Sequence, residues 1–157
     1  MKYLFDTSSL SVIFRHYYYE RFPSFWEKFD TFKEKGKIIS VRETRREIEI
    51  IKRGDRLEDW IKQNSDFFKD PTLEELKFIT TIYGVKHFQQ NLEKKKLLNG
   101  GAFADPFIIA KARVNYAIVV TQEKRKENGA KIPNICEYFG IECIDLNGFL
   151  VKENWIF

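Results

Sequence analysis

Histidine and cysteine are scarce in this 157-residue chain, two of each, and their scarcity removes several kinds of chemistry. Cys136 and Cys143 form no C-x-x-C pattern, so a zinc site or a dithiol redox pair is not expected, and both read as free thiols of a reducing compartment. His16 and His87 lie in unrelated segments without an H-E-x-x-H spacing, which leaves no histidine-based metal site in view. No G-x-x-x-x-G-K-[ST] loop is present, so nucleotide binding through a P-loop is not expected. Long apolar runs are missing too. None approaches the ~18 residues of a membrane span, and Asp6 interrupts the first apolar stretch before a signal-peptide core could form. A cytoplasmic protein with no membrane partner is the expectation. The chain also lacks internal repeats, low-complexity tracts and linkers, which predicts one domain over residues 1–157.

What the chain does have is apolar and aromatic material, 43% and 16% of residues with fifteen Phe, enough for a close-packed interior. The net charge of +4 mildly favours polyanionic partners without identifying one.

Four short apolar runs read as buried strands: Tyr3 to Phe5, Ile38 to Ser40, Ala117 to Thr121 and Glu142 to Asp145. Between them the period turns helical. Phe22, Phe25, Trp26, Phe29 and Phe32 recur at three- and four-residue steps before Gly36. A second helix is expected over residues 41–54, closed by Gly54. A third is capped by Thr72 and Glu75 and ends at Gly84, and a fourth runs out at Asn99 to Gly101. The next has Asp105 at its N-cap and Pro106 at its first position, and two more begin near Pro133 and Asn147. Strands joined by helical crossovers imply an α/β protein: a three-layer α/β/α fold with a mainly parallel central sheet of four or five strands. Residues 42–104 read as a long helical insertion forming a wall of the cleft.

In such a sheet, ligands gather at the C-terminal ends of the strands. The acids placed there come from separated parts of the chain: Asp6 after the first strand, Glu43 and Glu47 on the helix after the second, Asp105 at a helix start, and Glu123 beyond Thr121. Taken singly each has a plainer role, Asp105 as an N-cap, Glu43 and Glu47 as ion-pair partners of Arg42, Arg45 and Arg46, Glu123 as a loop charge. Brought together they would repel, and raised pKa values or a bound cation must relieve them. Oxygen-only ligands suit Mg²⁺ or Mn²⁺ rather than Zn²⁺, and a carboxylate-held ion of this type serves phosphodiester hydrolysis well.

The stretches FDTSSL, RREI, ADPFIIAKA and VVT with an acid two places on, in that order, resemble the PIN-domain nucleases, which include the VapC-type toxins of toxin–antitoxin pairs. The similarity spans nearly the whole chain, including the IPNICEYFGIECIDLNGFL ending. The resemblance implies Asp6, Glu47 and Asp105 as metal ligands and Glu123 as the fourth catalytic acid. Thr7, Glu43 and Thr121 would support them. Two departures stand out: the fourth place is more usually Asp than Glu123, and Thr44 holds a place that is usually apolar. The resemblance further implies an RNA substrate, an antitoxin partner and a homodimer. Lys111, Arg113, Lys124, Arg125 and Lys126, with Lys131, are placed to hold a phosphate backbone, while Lys94 to Lys96 read as a solvated helix face. Two further readings stay open: an RNA-binding or scaffold module with the same fold and little catalysis, and a phosphotransfer domain phosphorylated on Asp6. The haloacid-dehalogenase form of the latter needs a second Asp where this chain has Ser8.

Overall fold

The computed structural model describes residues 1–51 and 54–157. Its order is β1 (Tyr3–Phe5), α1 (Thr7–His16), α2 (Pro23–Glu34), β2 (Ile38–Val41), α3 (Arg42–Ile51), α4 (Arg56–Gln63), β3 (Phe68–Lys69), α5 (Leu73–Tyr83), α6 (Lys86–Leu98), α7 (Asp105–Asn115), β4 (Ile118–Val120), α8 (Ile132–Phe139), β5 (Cys143–Ile144) and α9 (Leu146–Lys152). A short 3₁₀ turn at Ser65–Phe67 precedes β3. All strand pairs are parallel, in the spatial order β3-β2-β1-β4-β5.

Strand periodicity sorts the core into two faces. Tyr3, Phe5, Ile118 and Val120 point to one side, where α1, α2, α4 and α9 bring Phe14, Phe25, Trp26, Phe29, Trp60 and Phe149. Leu4, Ile39, Val41 and Val119 point to the other, where α6, α7 and α8 bring Leu92, Ile108, Ile109 and Ile135. The protein is therefore a three-layer α/β/α domain with one core dominated by aromatics and one mainly aliphatic, the latter including Phe88 and Phe103. On the aromatic side Phe149 meets Tyr3 edge-on at 4.8 Å and Phe5 at 5.2 Å, a geometry that adds roughly 0.5–1.5 kcal/mol per pair to simple burial. Among the described residues no helix is long and apolar enough to cross a membrane.

Two features differ from the sequence expectation, the strand β3 and the cap of α7, and a third, helix α1, lies where that expectation has no element. The insertion over residues 42–104 contains a strand: β3 pairs Phe68 with Ser40 and Lys69 with Val41, giving the sheet its fifth member. Helix α1 begins directly after Asp6, so the Phe14 region is helical before the chain turns into α2. At α7 the N-cap is Ala104, not Asp105, which occupies the first helical position and makes no capping bond. Helix α3 is described to Ile51, and its expected extension through Lys52 and Arg53 lies outside the described residues.

The strand order reverses at β1: β2 lies on one side of it and β4 on the other. The crevice of a parallel sheet opens at that switch, beyond the strand C-termini. Asp6 follows β1, α3 follows β2 without a loop, and Glu123 follows β4. Helix α7 runs back toward the start of β4, so its N-terminal Asp105 lies at the same edge.

Candidate functional site

Asp6 answers first for local structure. Its backbone N–H extends the ladder to Val120 O at 3.2 Å, and its side chain caps α1 by accepting Ser9 N–H at 2.8 Å. Ser8 Oγ donates to both carboxylate oxygens at 2.8 Å, and Thr121 Oγ1 donates to Oδ2 at 2.5 Å. The cage is keyed to β4 as well, because Gln122 N–H donates to Ser8 Oγ at 2.9 Å and Ser9 Oγ to Val120 O at 2.8 Å. Among the described residues every donor to Asp6 is neutral. Burial therefore raises its pKa, and the Thr121, Ser9 and Ser8 hydrogen bonds pull it partly back.

Glu47 projects from α3 into the same space. Thr7 Oγ1 donates to its Oε1 at 2.6 Å, and Ala104 N–H, at the start of α7, donates to Oε2 at 3.1 Å. Its pKa is raised, by burial first and then by the Asp6 and Glu123 charges. Asp105, free of capping duty, is 13% exposed and stands 3.5 Å from Lys95 Nζ of α6. Burial and the Glu123 charge push it well above the usual carboxylate range; Lys95 opposes this, and Glu47 and Asp6 add to it. Glu123 Oε2 accepts the N–H of Ile132, the first residue of α8, at 2.9 Å. The starts of α1, α7 and α8 thus each lend the carboxylates a backbone N–H, and the positive ends of the helix dipoles offset part of the charge.

The four acids line one groove of about 900 Å³. Arg15, Lys95 and Lys131 add positive charge to it, and Val12, Ile50, Ile51 and Leu98 form an apolar side. Among the described residues, no three His, Cys, Asp or Glu side chains form a ready-made set of direct metal ligands. The donors nonetheless fit a hard divalent ion. Mg²⁺ keeps several waters and needs only one or two carboxylates directly. Each Glu47 oxygen accepts one hydrogen bond and retains a further lone pair, and the two Asp6 oxygens share the single Ser8 hydroxyl hydrogen, which leaves one of them with one hydrogen bond at a time. Asp6, Glu47 and Asp105 would hold such an ion, with Glu123 bridging through water.

The other predicted residues divide. Thr7 and Thr121 are where the sequence placed them, each holding an acid. Glu43 is not in the groove: it pairs with Arg42 at 3.0 Å and lines a different cavity. Lys111 is not a surface cation. It is buried, 2.7 Å from Glu75. Arg113 lies at the far end of α7, over the Phe78 ring and bonded to Phe139 O. Arg125 is exposed and paired with Glu137, while Lys124 and Lys126 are exposed on the loop beyond Glu123. Lys95, read from the sequence as one of a solvated triplet, is the member that faces the groove. It follows buried Leu92 by three residues, a helical spacing that carried the signal. Arg15 and Ser8 were also missed; Arg15 lies one turn past Val12 and Ser11 on the groove side of α1.

No curated protein matches the chain. A crystal structure of PAE2754 from Pyrobaculum aerophilum is similar at 19% identity over 97% of this chain and 96% of that one, with a TM-score of 0.49. A family described as a domain of unknown function (DUF4411) matches residues 3–157, and the chain belongs to that family.

Proposed function

We propose that the protein is an endoribonuclease that hydrolyses RNA phosphodiester bonds with a carboxylate-bound Mg²⁺ or Mn²⁺. The observation that carries this reading is the convergence of Asp6, Glu47, Asp105 and Glu123, from four separated segments, in one groove where three of them, Asp6, Glu47 and Asp105, have raised pKa values. The order of these acids along the chain, which resembles that of PIN-domain nucleases, supports it.

A bound ion would activate a water and neutralise charge developing on the phosphodiester. The chain's own residues supply the frame. Thr121, Ser8 and Ser9 fix Asp6, and Thr7 and Ala104 fix Glu47, so neither carboxylate has to reorganise. Lys95, Lys131 and Arg15 face the groove and are placed to meet phosphate oxygens. Contacts of that kind give salt-dependent affinity with little sequence choice. The apolar side, Val12, Ile50, Ile51 and Leu98, offers unstacked bases a surface. The activity belongs in the cytoplasm, with a protein antitoxin covering the groove and a homodimer as the working assembly.

A second reading, a catalytically weak RNA-binding or scaffold module, draws on a specific contact: Lys95 already sits on Asp105, where a cation would otherwise be needed. Cleavage of a mixed-sequence RNA with Mn²⁺, compared between wild type and Asp6→Asn, separates the two. The nuclease reading expects cleavage by the wild type and background from the variant. Equal rates would remove it.

A further inference from the structure

Beside the acidic groove lies a smaller cavity of about 210 Å³. Ala102 and Phe103 line both, so the two are neighbours across the segment that leads into α7. The Asp105 charge reaches into it: the Tyr83 phenol on its wall is raised by burial, then by Glu93 and by Asp105. The cavity is below the ~300 Å³ at which sites for drug-sized ligands begin. It has room for one ring system and not for a helix.

Glu43, in the first turn of α3, lines this cavity with a side chain only 7% exposed. Its Oε1 accepts from Arg42 at 3.0 Å, but Oε2 is buried and meets no donor among the described residues. A buried carboxylate oxygen without a donor is costly, and in a native protein it calls for an explanation. Around it stand three cations, Arg42, Arg46 and Lys96, and three rings, Tyr83, Phe103 and Phe107. A ligand matched to these walls has a flat ring, hydrogen-bond donors for Glu43, acceptors for arginine and a negative charge.

We propose that this cavity is a guanine-reading subsite for a nucleotide flanking the bond to be cut. Among the four bases, guanine places two donors, N1–H and N2–H, side by side for a carboxylate. Next to them it presents O6 and N7, the acceptors that arginine takes in pairs. Adenine and cytosine offer one amino group each, and uracil a single imide. Glu43 then discriminates, Tyr83, Phe103 and Phe107 pack the ring, and Lys96 at the exposed mouth holds the phosphate. The proposal deepens the RNA reading above and rests on it for the class of ligand.

Isothermal titration of the full-length chain, without added metal, tests it with guanosine, adenosine, cytidine and uridine 5′-monophosphates. Saturable binding of the guanosine nucleotide is expected, about tenfold or more tighter than the other three, as one bidentate pair provides. Glu43→Gln should erase that preference. Lys96→Ala, at an exposed helix position, should weaken all four nucleotides alike and leave the preference in place. No saturable guanosine nucleotide binding, equal affinity for the four, a folded Glu43→Gln that keeps its selectivity, or a Lys96→Ala that binds like wild type would each overturn the subsite. If circular dichroism shows Glu43→Gln unfolded, the wild-type ranking and Lys96→Ala decide. A chain that selects guanosine nucleotide yet cuts no RNA with Mn²⁺ keeps this subsite and loses the nuclease. One that cuts RNA and ignores the nucleotide does the reverse.

Discussion

Carboxylates are buried in two quite different ways in this molecule. Under α5, Glu75 is 1% exposed, and the chain brings its own cation: Lys111 Nζ lies 2.7 Å from Oε1, Thr72 donates to Oε2 at 2.8 Å, and Lys111 gives a further bond to Asp70 O at 3.1 Å. In the groove, Asp6, Glu47, Asp105 and Glu123 share one space, and among the described residues the one ion pair that reaches them is Lys95–Asp105 at 3.5 Å. The first arrangement is closed and neutral. The second leaves surplus negative charge at the floor of an opening, held by hydroxyls and backbone N–H groups that orient the acids without neutralising them. A chain able to match a buried acid with a buried lysine does not do so fully in the groove, and that is what the proposed divalent ion explains.

The contrast can be broken from the neutral side with the largest effect. Glu75→Leu leaves the Lys111 ammonium buried without its partner and should cost about 3–5 kcal/mol of stability, read by urea denaturation. Adding Lys111→Met should recover most of the loss, because a buried ion pair and an apolar pair of similar volume are nearly equivalent.

The next effect comes from the groove. Asp6, Glu47 and Asp105 all have raised folded pKa values, so the folded state holds protons more tightly than the unfolded one. Their stabilising contribution is fully present below the ordinary carboxylate pKa of about 4 and is lost as pH rises through the raised folded values. In metal-free protein, the part of the thermal midpoint's pH dependence set by these three groups therefore falls as pH rises from about 4 toward neutral. At neutral pH, Mn²⁺ at about a hundred times its dissociation constant should restore roughly 2.7 kcal/mol, a rise of several degrees that EDTA reverses. That rise should shrink on acidification, as protons compete for the same oxygens.

Asp105→Asn should act opposite in sign to Glu75→Leu. It removes one buried charge from among like charges, so the midpoint should hold or rise slightly while Mn²⁺-dependent cleavage is lost. A clear drop in the midpoint would make Lys95–Asp105 a structural pair like Glu75–Lys111. Glu123→Gln should change least, since the amide oxygen still accepts the Ile132 N–H. Its cleavage rate should fall by less than that of Asp105→Asn.

The strands that bear the site were legible because short apolar runs between helical periods have few other readings, and the acids at their C-terminal edge followed from the topology. Three things were not legible, for physical reasons. The strand β3 is two residues long, Phe68 and Lys69, and takes its identity from pairing with β2. A one-residue phase decides whether Asp105 caps α7 or starts it, and so whether its carboxylate is committed to backbone or free for the groove; the D-P pair fits both. Lys111 carries the same charge as any surface lysine, and only the packing of α5 against α7 brings Glu75 to it.

The most direct measurement is anomalous scattering from crystals soaked in Mn²⁺. A peak is expected in the groove within reach of Asp6, Glu47 and Asp105, absent from Asp105→Asn crystals. Saturating Mn²⁺ that leaves the groove without anomalous density would contradict it.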